Sequence, residues 1–286
     1  MTEKTQTVTR FAPSPTGRLH LGHAFAAMVA YDAARYTGGT FLLRLEDIDR
    51  GRCRAEFEDA IFEDLAWLNI SWSEPVLRQS DHMADYAEAL RKLDGLGVLY
   101  PCFCTRADIR AEIEQSPSAP HGPDGAIYPG ICRHLTAAER RDRTASGDAH
   151  ALRLDVERAY EIVGRILTWN EQDEGLSRAY PQHHGDVVLA RKDTPTSYHL
   201  SVVVDDAAQG VTLVTRGRDL IRATDVHLLL QALLDLPTPR YHHHRLITND
   251  RGERLATRND ALALATLRQG GASPEYIRYL VGLGQP

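Results

Sequence analysis

Two histidines flank a glycine in Arg10-Phe11-Ala12-Pro13-Ser14-Pro15-Thr16-Gly17-Arg18-Leu19-His20-Leu21-Gly22-His23. Imidazoles beside a phosphate chain can donate hydrogen bonds to the charge that develops in phosphoryl or nucleotidyl displacement. Gly22 lets the backbone come close to such a ligand. The bland reading of the same pair is a surface turn with two solvated rings. Further along, Glu46-Asp47-Ile48-Asp49-Arg50 offers acids suited to an ammonium group or ribose hydroxyls, or more plainly to capping a helix. Arg216 can fork a carboxylate through two hydrogen bonds. Three cysteines cluster as Cys102-Phe103-Cys104 and Cys132. Three thiolates, two of them at short spacing, suit zinc better than a disulfide framework. The candidates for a fourth ligand are Tyr128, His121 and His134, and chemistry alone favours a histidine. Three reduced cysteines without metal are the alternative, and Cys53 stands apart as inert. The run His242-His243-His244 cannot serve one metal from a strand, because alternate side chains diverge; one of the three could face a nucleotide.

The elements that would position these groups follow from periodicity. Thr7–Phe11 reads as a strand, and Pro13, Pro15 and Gly17 then block regular structure. Ala24, Phe25, Ala27, Met28, Ala30 and Tyr31 repeat at helical spacing up to about Tyr36, where Gly38-Gly39 stops the helix. Its amino end would aim free N–H groups and a positive dipole at the histidine turn, which is an anion site. Thr40–Leu45 is a buried strand, so strand, helix and strand form a βαβ unit and imply a parallel sheet. Glu46 would then sit at the carboxyl end of a strand, where open α/β sheets bind ligands.

Helices are expected at 55–68, 81–95 and 106–115, with a loop between the first two and a short strand at 99–101. Ser116 to Gly125 reads as a flexible surface loop. Residues 133–180 are polar and mixed: a short helix at 136–143, then strands at 151–154 and 159–163. The parallel sheet would resume at 185–190. A helix or strand run at 195–206 and a strand at 211–214 put Arg216 at the ligand edge. A helix at 220–234, a strand through the histidines, and helices at 260–269 and 274–283 complete the chain.

Composition narrows the class. A length of 286 residues with 43% hydrophobic and 25% charged residues allows a sizeable globular core. The net charge of −6 argues against sequence-indifferent nucleic-acid binding over the whole surface, though not against a local basic face. No run is long and apolar enough to span a bilayer, and the N-terminus lacks a basic-then-apolar signal. The expectation is a cytoplasmic chain with no membrane partner.

The string FAPSPTGRLHLGH resembles the first signature of class I aminoacyl-tRNA synthetases, in the form used by the glutamyl branch. LRLEDIDR, the Gln79-Ser80 pair with Tyr86, the run from Tyr198 through Val202-Val203-Val204-Asp205-Asp206 to Gly210-Val211, and Arg216-Gly217 resemble later segments of the same branch. The resemblance implies a Rossmann-type α/β fold: a parallel-sheet catalytic domain with an inserted zinc-containing α+β subdomain and a short C-terminal helical segment. The implied division is 1–100 and 185–245 for the two halves of the catalytic domain, 101–184 for the insertion, and 246–286 for the end. It implies ATP and L-glutamate as substrates, with Mg²⁺ accompanying ATP. His20 and His23 would be catalytic and, with Gly22, would hold ATP. Arg10, Phe11, Ala12, Pro13, Ser14, Glu46, Tyr198 and Arg216 would bind glutamate: Glu46 its α-amino group, and Tyr198, Arg216 and Arg10 its side chain. Two arginines on an acidic side chain would explain glutamate over glutamine, whose neutral amide would leave a buried guanidinium unpaired.

Gly252-Glu253-Arg254-Leu255-Ala256-Thr257-Arg258 occupies the place of the KMSKS loop. Thr257 falls where the family has a lysine for the ATP phosphates, so the resemblance implies that Thr257, with Arg254 and Arg258 on either side, borders ATP and that one of the arginines supplies the charge. An arginine does not reproduce a lysine's point charge, so this departure suggests a slow or altered enzyme. One subgroup of the branch carries Cys-x-Cys…Tyr-x-x-x-Cys as its zinc set, which implies Cys102, Cys104, Tyr128 and Cys132 here. That subgroup lacks the anticodon-reading domain, and the expectation here is likewise a catalytic core only. Its members activate glutamate without tRNA and attach it to queuosine in the anticodon loop of tRNA(Asp), and the chain is expected to be a monomer. Two alternatives are a truncated enzyme charging a tRNA 3′ end and a non-catalytic, zinc-stabilised RNA-binding relative.

Overall fold

The computed structural model describes residues 6–115, 121–122, 125–248 and 262–284. The chain opens with β1 (Val8–Phe11), α1 (Leu21–Tyr36), β2 (Thr40–Leu45), α2 (Ala55–Trp67), β3 (Ser73–Arg78) and α3 (Met83–Gly95). It continues with β4 (Leu99–Cys102), α4 (Arg106–Gln115), a short hairpin of β5 (His121–Gly122) and β6 (Gly125–Ala126), α5 (Ala137–Ala145), β7 (Ala151–Leu154) and α6 (Val156–Val163). Then come β8 (Thr168–Glu171), β9 (Gly175–Arg178), β10 (Val188–Ala190), α7 (Tyr198–Ala208), β11 (Leu213–Gly217), α8 (Ala223–Leu234), β12 (Arg240–His244), α9 (Leu264–Gln269) and α10 (Pro274–Leu280).

Strands β1, β2 and β3 pair in parallel, with Val8 opposite Thr40 and Arg44 opposite Leu77. Strands β11 and β12 also pair in parallel, from Leu213 opposite Arg240 to Gly217 opposite His244. The two ladders meet where the Thr212 N–H donates to the Val8 carbonyl at 3.0 Å and the Val8 N–H donates to Thr212 Oγ1 at 2.8 Å. The spatial order is therefore β3-β2-β1-β11-β12, then β8 and β9. The strand order reverses between β1 and β11, the place where doubly wound sheets leave a crevice at the strands' carboxyl ends.

Period-two alternation divides the core between the faces of the sheet. Phe41, Leu43 and Leu45 pack with α1, α2, α9 and α10. Val214 and Tyr241 pack on the opposite side with α3, α6, α7 and α8. Arg44 lies one residue out of phase with Leu43 and Leu45, so its guanidinium enters the second layer and is fully buried against α7.

Several expectations need correction. Residues 159–163 are not a strand but the end of α6. The Asp155 side chain accepts the Arg158 N–H at 3.1 Å, and Gly164 closes the helix in a left-handed conformation. Ala-Tyr-Glu-Ile-Val is rich in strand formers, but Val156 and Ala159 bury at helical spacing, and packing overrides propensity. The strand at 188–190 does not rejoin the parallel sheet. It pairs antiparallel with β7, which also pairs with β4. The segment 73–78 is a strand rather than a loop, and Pro75 is tolerated because β3 is an edge strand. The hairpin β8–β9 falls in the stretch read as polar and mixed, since only Trp169 and Glu171 of β8 are buried. The run from 195 resolves into a helix, α7, beginning at Tyr198. Within the expected 116–125 loop, the described residues contribute to the β5–β6 hairpin.

Candidate active site

The turn after β1 and the end of β11 face one another across a cavity of about 400 Å³, within the range of small-molecule sites. All eight residues expected to hold the amino acid line it: Arg10, Phe11, Ala12, Pro13, Ser14, Glu46, Tyr198 and Arg216. The Glu46 N–H donates to the Pro13 carbonyl at 3.0 Å, which ties the end of β2 to the proline turn. A second cavity of about 130 Å³ adjoins it, sharing His23, Ala26, Gly217 and Leu220. His20, Gly22 and His244 line that second space.

His20 is the N-cap of α1. Its Nδ1 accepts the Gly22 N–H at 3.1 Å, and His23 Nδ1 accepts the His20 N–H at 3.2 Å. A nitrogen that accepts carries no proton, so each ring proton sits on Nε2. No acidic residue occupies the first turn of α1, which leaves the positive end of the dipole uncompensated by the helix's own side chains. The Leu264 N–H donates to the Leu19 carbonyl at 2.9 Å, and Ile247 lines the second cavity. The amino-terminal flank of the KMSKS-like segment therefore borders this space, while its carboxyl-terminal flank is tied to the chain just before His20 through Leu19 and a bridge between Ala263 and His20. Arg254, Thr257 and Arg258 themselves lie outside the described residues.

The two pocket arginines are held differently. Arg10 Nε and Nη2 donate to Asp206 at 2.9 and 3.3 Å, and Nη1 donates to the Thr215 carbonyl at 3.0 Å. Arg216, 6% exposed, donates to His243 Nε2 at 3.0 Å, His227 Nδ1 at 3.1 Å, Tyr198 Oη at 3.3 Å and Thr224 Oγ1 at 2.7 Å. Every one of these acceptors is neutral. Among the described residues no carboxylate pairs with Arg216. Burial, reinforced by Arg216, pushes His227 well below its ordinary range, so that ring stays uncharged.

Under the pocket floor lies a buried charge network. Arg44 Nη1 donates to Asp206 at 2.8 Å, and its Nη2 lies 3.5 Å from Glu46. Asp205 accepts from Gln79 Nε2 at 2.7 Å and Tyr86 Oη at 2.9 Å. Burial raises the Glu46 carboxyl above its usual range, against the opposing pull of Arg44 and Arg10. Burial acts the same way on Asp206, but Arg10 and Arg44 outweigh it and hold that carboxyl low. Sequence reasoning connected Gln79, Tyr86 and Asp205-Asp206 to the family without giving them roles. Two adjacent acids in an otherwise apolar helix were the available sign of buried cationic partners. Arg44, inside LRLEDIDR, and Thr224, near the start of α8, were likewise given no role, and His227, which also holds Arg216, was missed.

A separate cluster forms at the end of β4. The sulfur atoms of Cys102, Cys104 and Cys132 lie within 4.8 Å of one another. Tyr128 Oη stands 3.4 Å from Cys102 Sγ and 3.6 Å from Cys104 Sγ. Three soft sulfurs and one oxygen converging on a point suit a tetrahedral zinc ion. His134 is exposed and not part of the cluster, and the side chain of His121 is outside the described residues. The Arg153 guanidinium lies 3.8 Å over the Tyr128 ring. Burial would raise the Cys102 thiol, but hydrogen bonds from Tyr128 and Arg153 outweigh it and hold that thiol below its ordinary value, while burial pushes the Tyr128 phenol up.

The family described as tRNA synthetases class I (E and Q), catalytic domain, matches residues 6–285. A glutamyl-Q tRNA(Asp) synthetase of Rhodobacter capsulatus is 52% identical over 282 residues, covering 96% of this chain and 100% of that protein. A protein of the same name from Nocardia farcinica is 44% identical, covering 97% of this chain and 85% of the relative. The crystal structure of a glutamate tRNA ligase from Elizabethkingia meningosepticum in complex with its amino acid superposes with a TM-score of 0.80 at 25% identity, covering 97% of this chain and 60% of that longer one.

Proposed function

The chain belongs to the class I aminoacyl-tRNA synthetase family of the glutamyl and glutaminyl type, and from that premise we propose that it activates L-glutamate with ATP and transfers it to queuosine in the anticodon loop of tRNA(Asp). The observation that carries the choice of amino acid is Arg216, a buried guanidinium in the pocket wall that, among the described residues, only neutral groups hold. An uncompensated buried cation is costly, and a ligand carboxylate relieves that cost. A glutamine amide would not. Glu46, at the other side of the cavity, receives the α-ammonium group.

In the first step an oxygen of the α-carboxylate attacks the α-phosphorus of ATP in line. The bond from that phosphorus to the bridging oxygen breaks and pyrophosphate leaves. His20 and His23 donate from Nε2 to the phosphate oxygens, and the amino end of α1 adds its N–H groups. Magnesium bound to the triphosphate supplies charge neutralisation. In the second step a hydroxyl of the modified nucleoside attacks the mixed anhydride, an ester forms and AMP departs. The adjoining second cavity, lined by His20, His23 and Ile247 at the amino-terminal flank of the KMSKS-like segment, supports a triphosphate there. The Cys102, Cys104, Tyr128 and Cys132 cluster is the site for one structural zinc ion.

Support for queuosine as the acceptor comes from relatives at 41–52% identity that carry the glutamyl-Q name. The test offers labelled glutamate and ATP to tRNA from cells with and without queuosine. Label confined to queuosine-bearing tRNA(Asp), and absent from its 3′ end, is the expected result. Label on an acceptor end regardless of queuosine would favour the truncated charging enzyme. Failure of glutamate-dependent pyrophosphate exchange would favour a non-catalytic relative.

A further inference from the structure

Behind Arg216 stands a carboxylate that does not touch it. Glu171 closes β8, which pairs in parallel with β12 at Tyr241, and its side chain is 2% exposed. Its Oε1 accepts the His243 backbone N–H at 2.8 Å and its Oε2 accepts the His243 Nδ1 proton at 2.5 Å. Trp169 Nε1 donates to the same Oε2 at 3.4 Å. His243 Nε2, on the far side of the ring, receives the Arg216 Nε proton. The directions are forced. Arginine can only donate, so Nε2 must be unprotonated and the ring proton lies on Nδ1.

We propose that Glu171 is a positioning residue for glutamate recognition: it selects the His243 tautomer that holds Arg216 in the pocket, while the imidazole keeps the carboxylate away from the guanidinium. This inference rests on the reading of Arg216 as the side-chain anchor. A carboxylate placed directly on Arg216 would compete with the ligand, as Asp206 occupies Arg10. The interposed neutral ring transmits orientation without neutralising the charge. His227 holds Arg216 from another side in the same manner. Burial would raise the Glu171 carboxyl, yet the hydrogen bonds from the His243 ring and backbone hold it below its ordinary value, as an ionised acceptor requires.

The experiment is steady-state pyrophosphate exchange with glutamate and ATP varied separately. In Glu171→Gln, either amide orientation sets a donor against a donor. An NH₂ group facing Nδ1 flips the tautomer and turns an Nε2 proton toward Arg216 Nε. His243→Asn keeps a donor for Glu171 but removes the acceptor for Arg216. Each change is expected to raise KM for glutamate about tenfold, with KM for ATP within about twofold. His243→Gln places an amide oxygen where Nε2 stood, needing no tautomer. In that background, adding Glu171→Gln is expected to change KM for glutamate less than about twofold further. A merely structural role would instead lower stability or kcat alike in both backgrounds. An equal Glu171→Gln effect in both backgrounds, or no KM effect in Glu171→Gln and His243→Asn, overturns the relay. Arg216→Met separates the two levels. If it raises KM while the Glu171 and His243 variants do not, the relay alone fails. If Arg216→Met leaves KM unchanged, the reading of the pocket fails with it.

Discussion

His20 and His23 cap one helix together: the ring of His23 accepts the backbone N–H of His20 at 3.2 Å, and their ring centroids lie 3.9 Å apart. The two residues expected to be catalytic are thus also the start of α1. A simple alanine substitution mixes two effects, because losing an N-cap costs about 1 kcal/mol by itself. His20→Asn separates them. Its side-chain oxygen replaces Nδ1 as the acceptor for the Gly22 N–H, and the Nε2 donor disappears. The variant is expected to melt near the parent temperature while kcat for pyrophosphate exchange falls roughly 10²–10³-fold. Thermal melting alongside exchange kinetics reads both; retained exchange would remove His20 from the chemistry.

Arg10 and Arg216 look equivalent in the sequence and are predicted to behave oppositely. Arg216→Met removes a charge that no described carboxylate balances, so the free protein is expected to lose little stability or to gain some. Its KM for glutamate should rise by roughly 30- to 150-fold, the equivalent of about 2–3 kcal/mol. Arg10→Met strands Asp206 with only Arg44 for company and is expected to cost about 3 kcal/mol of stability. Melting curves and glutamate titrations on the same two variants distinguish the roles, and a larger loss of stability in Arg216→Met would contradict the assignment.

Asp64 supplies a pH dependence unconnected with catalysis. It is buried in α2, neither carboxylate oxygen has a hydrogen-bond partner among the described residues, and Arg268 Nη2 lies 3.6 Å away. Burial raises its pKa from 3.8 to about 6; Arg268 and Arg18 oppose the shift and Glu63 adds to it. The folded state therefore binds this proton more tightly than the unfolded chain does. The contribution to stability is present at pH values below about 4 and is lost as pH rises toward 6. Asp64→Asn is expected to melt above the parent at pH 8, with the gap closing near pH 4. A gap that widens in acid would refute the sign.

The thiol cluster predicts metal content. The purified protein is expected to carry about one equivalent of zinc, measured by elemental analysis, and to lose it in Cys132→Ser. Tyr128→Phe should retain zinc with weaker affinity, because three thiolates remain. Chelation should lower the melting temperature, since metal that binds only the folded chain stabilises it by linkage. Full zinc content in Cys132→Ser would disprove the ligand set.

The βαβ start, the ligand edge of the sheet and the cluster of three cysteines were legible along the chain, whereas the eight expected glutamate-site residues came from the family resemblance, and all eight do line the cavity beside β1 and β11. The legible features are local patterns: a proline and glycine turn before a helix, strands bounded by glycines, thiols at short spacing. The sequence by itself also carried the rule that His242, His243 and His244 diverge, and His243 does face away from its neighbours toward Arg216. The long-range contacts were needed to see that Asp206 takes Arg10 while, among the described residues, neutral groups alone hold Arg216. Only the tertiary structure brought Glu171 behind His243, 72 residues along the chain, and carried 188–190 into the antiparallel sheet. The physical reason is that a side chain's partner across a fold depends on strand register and on which face a helix buries. Neither is written within the few residues on either side of it.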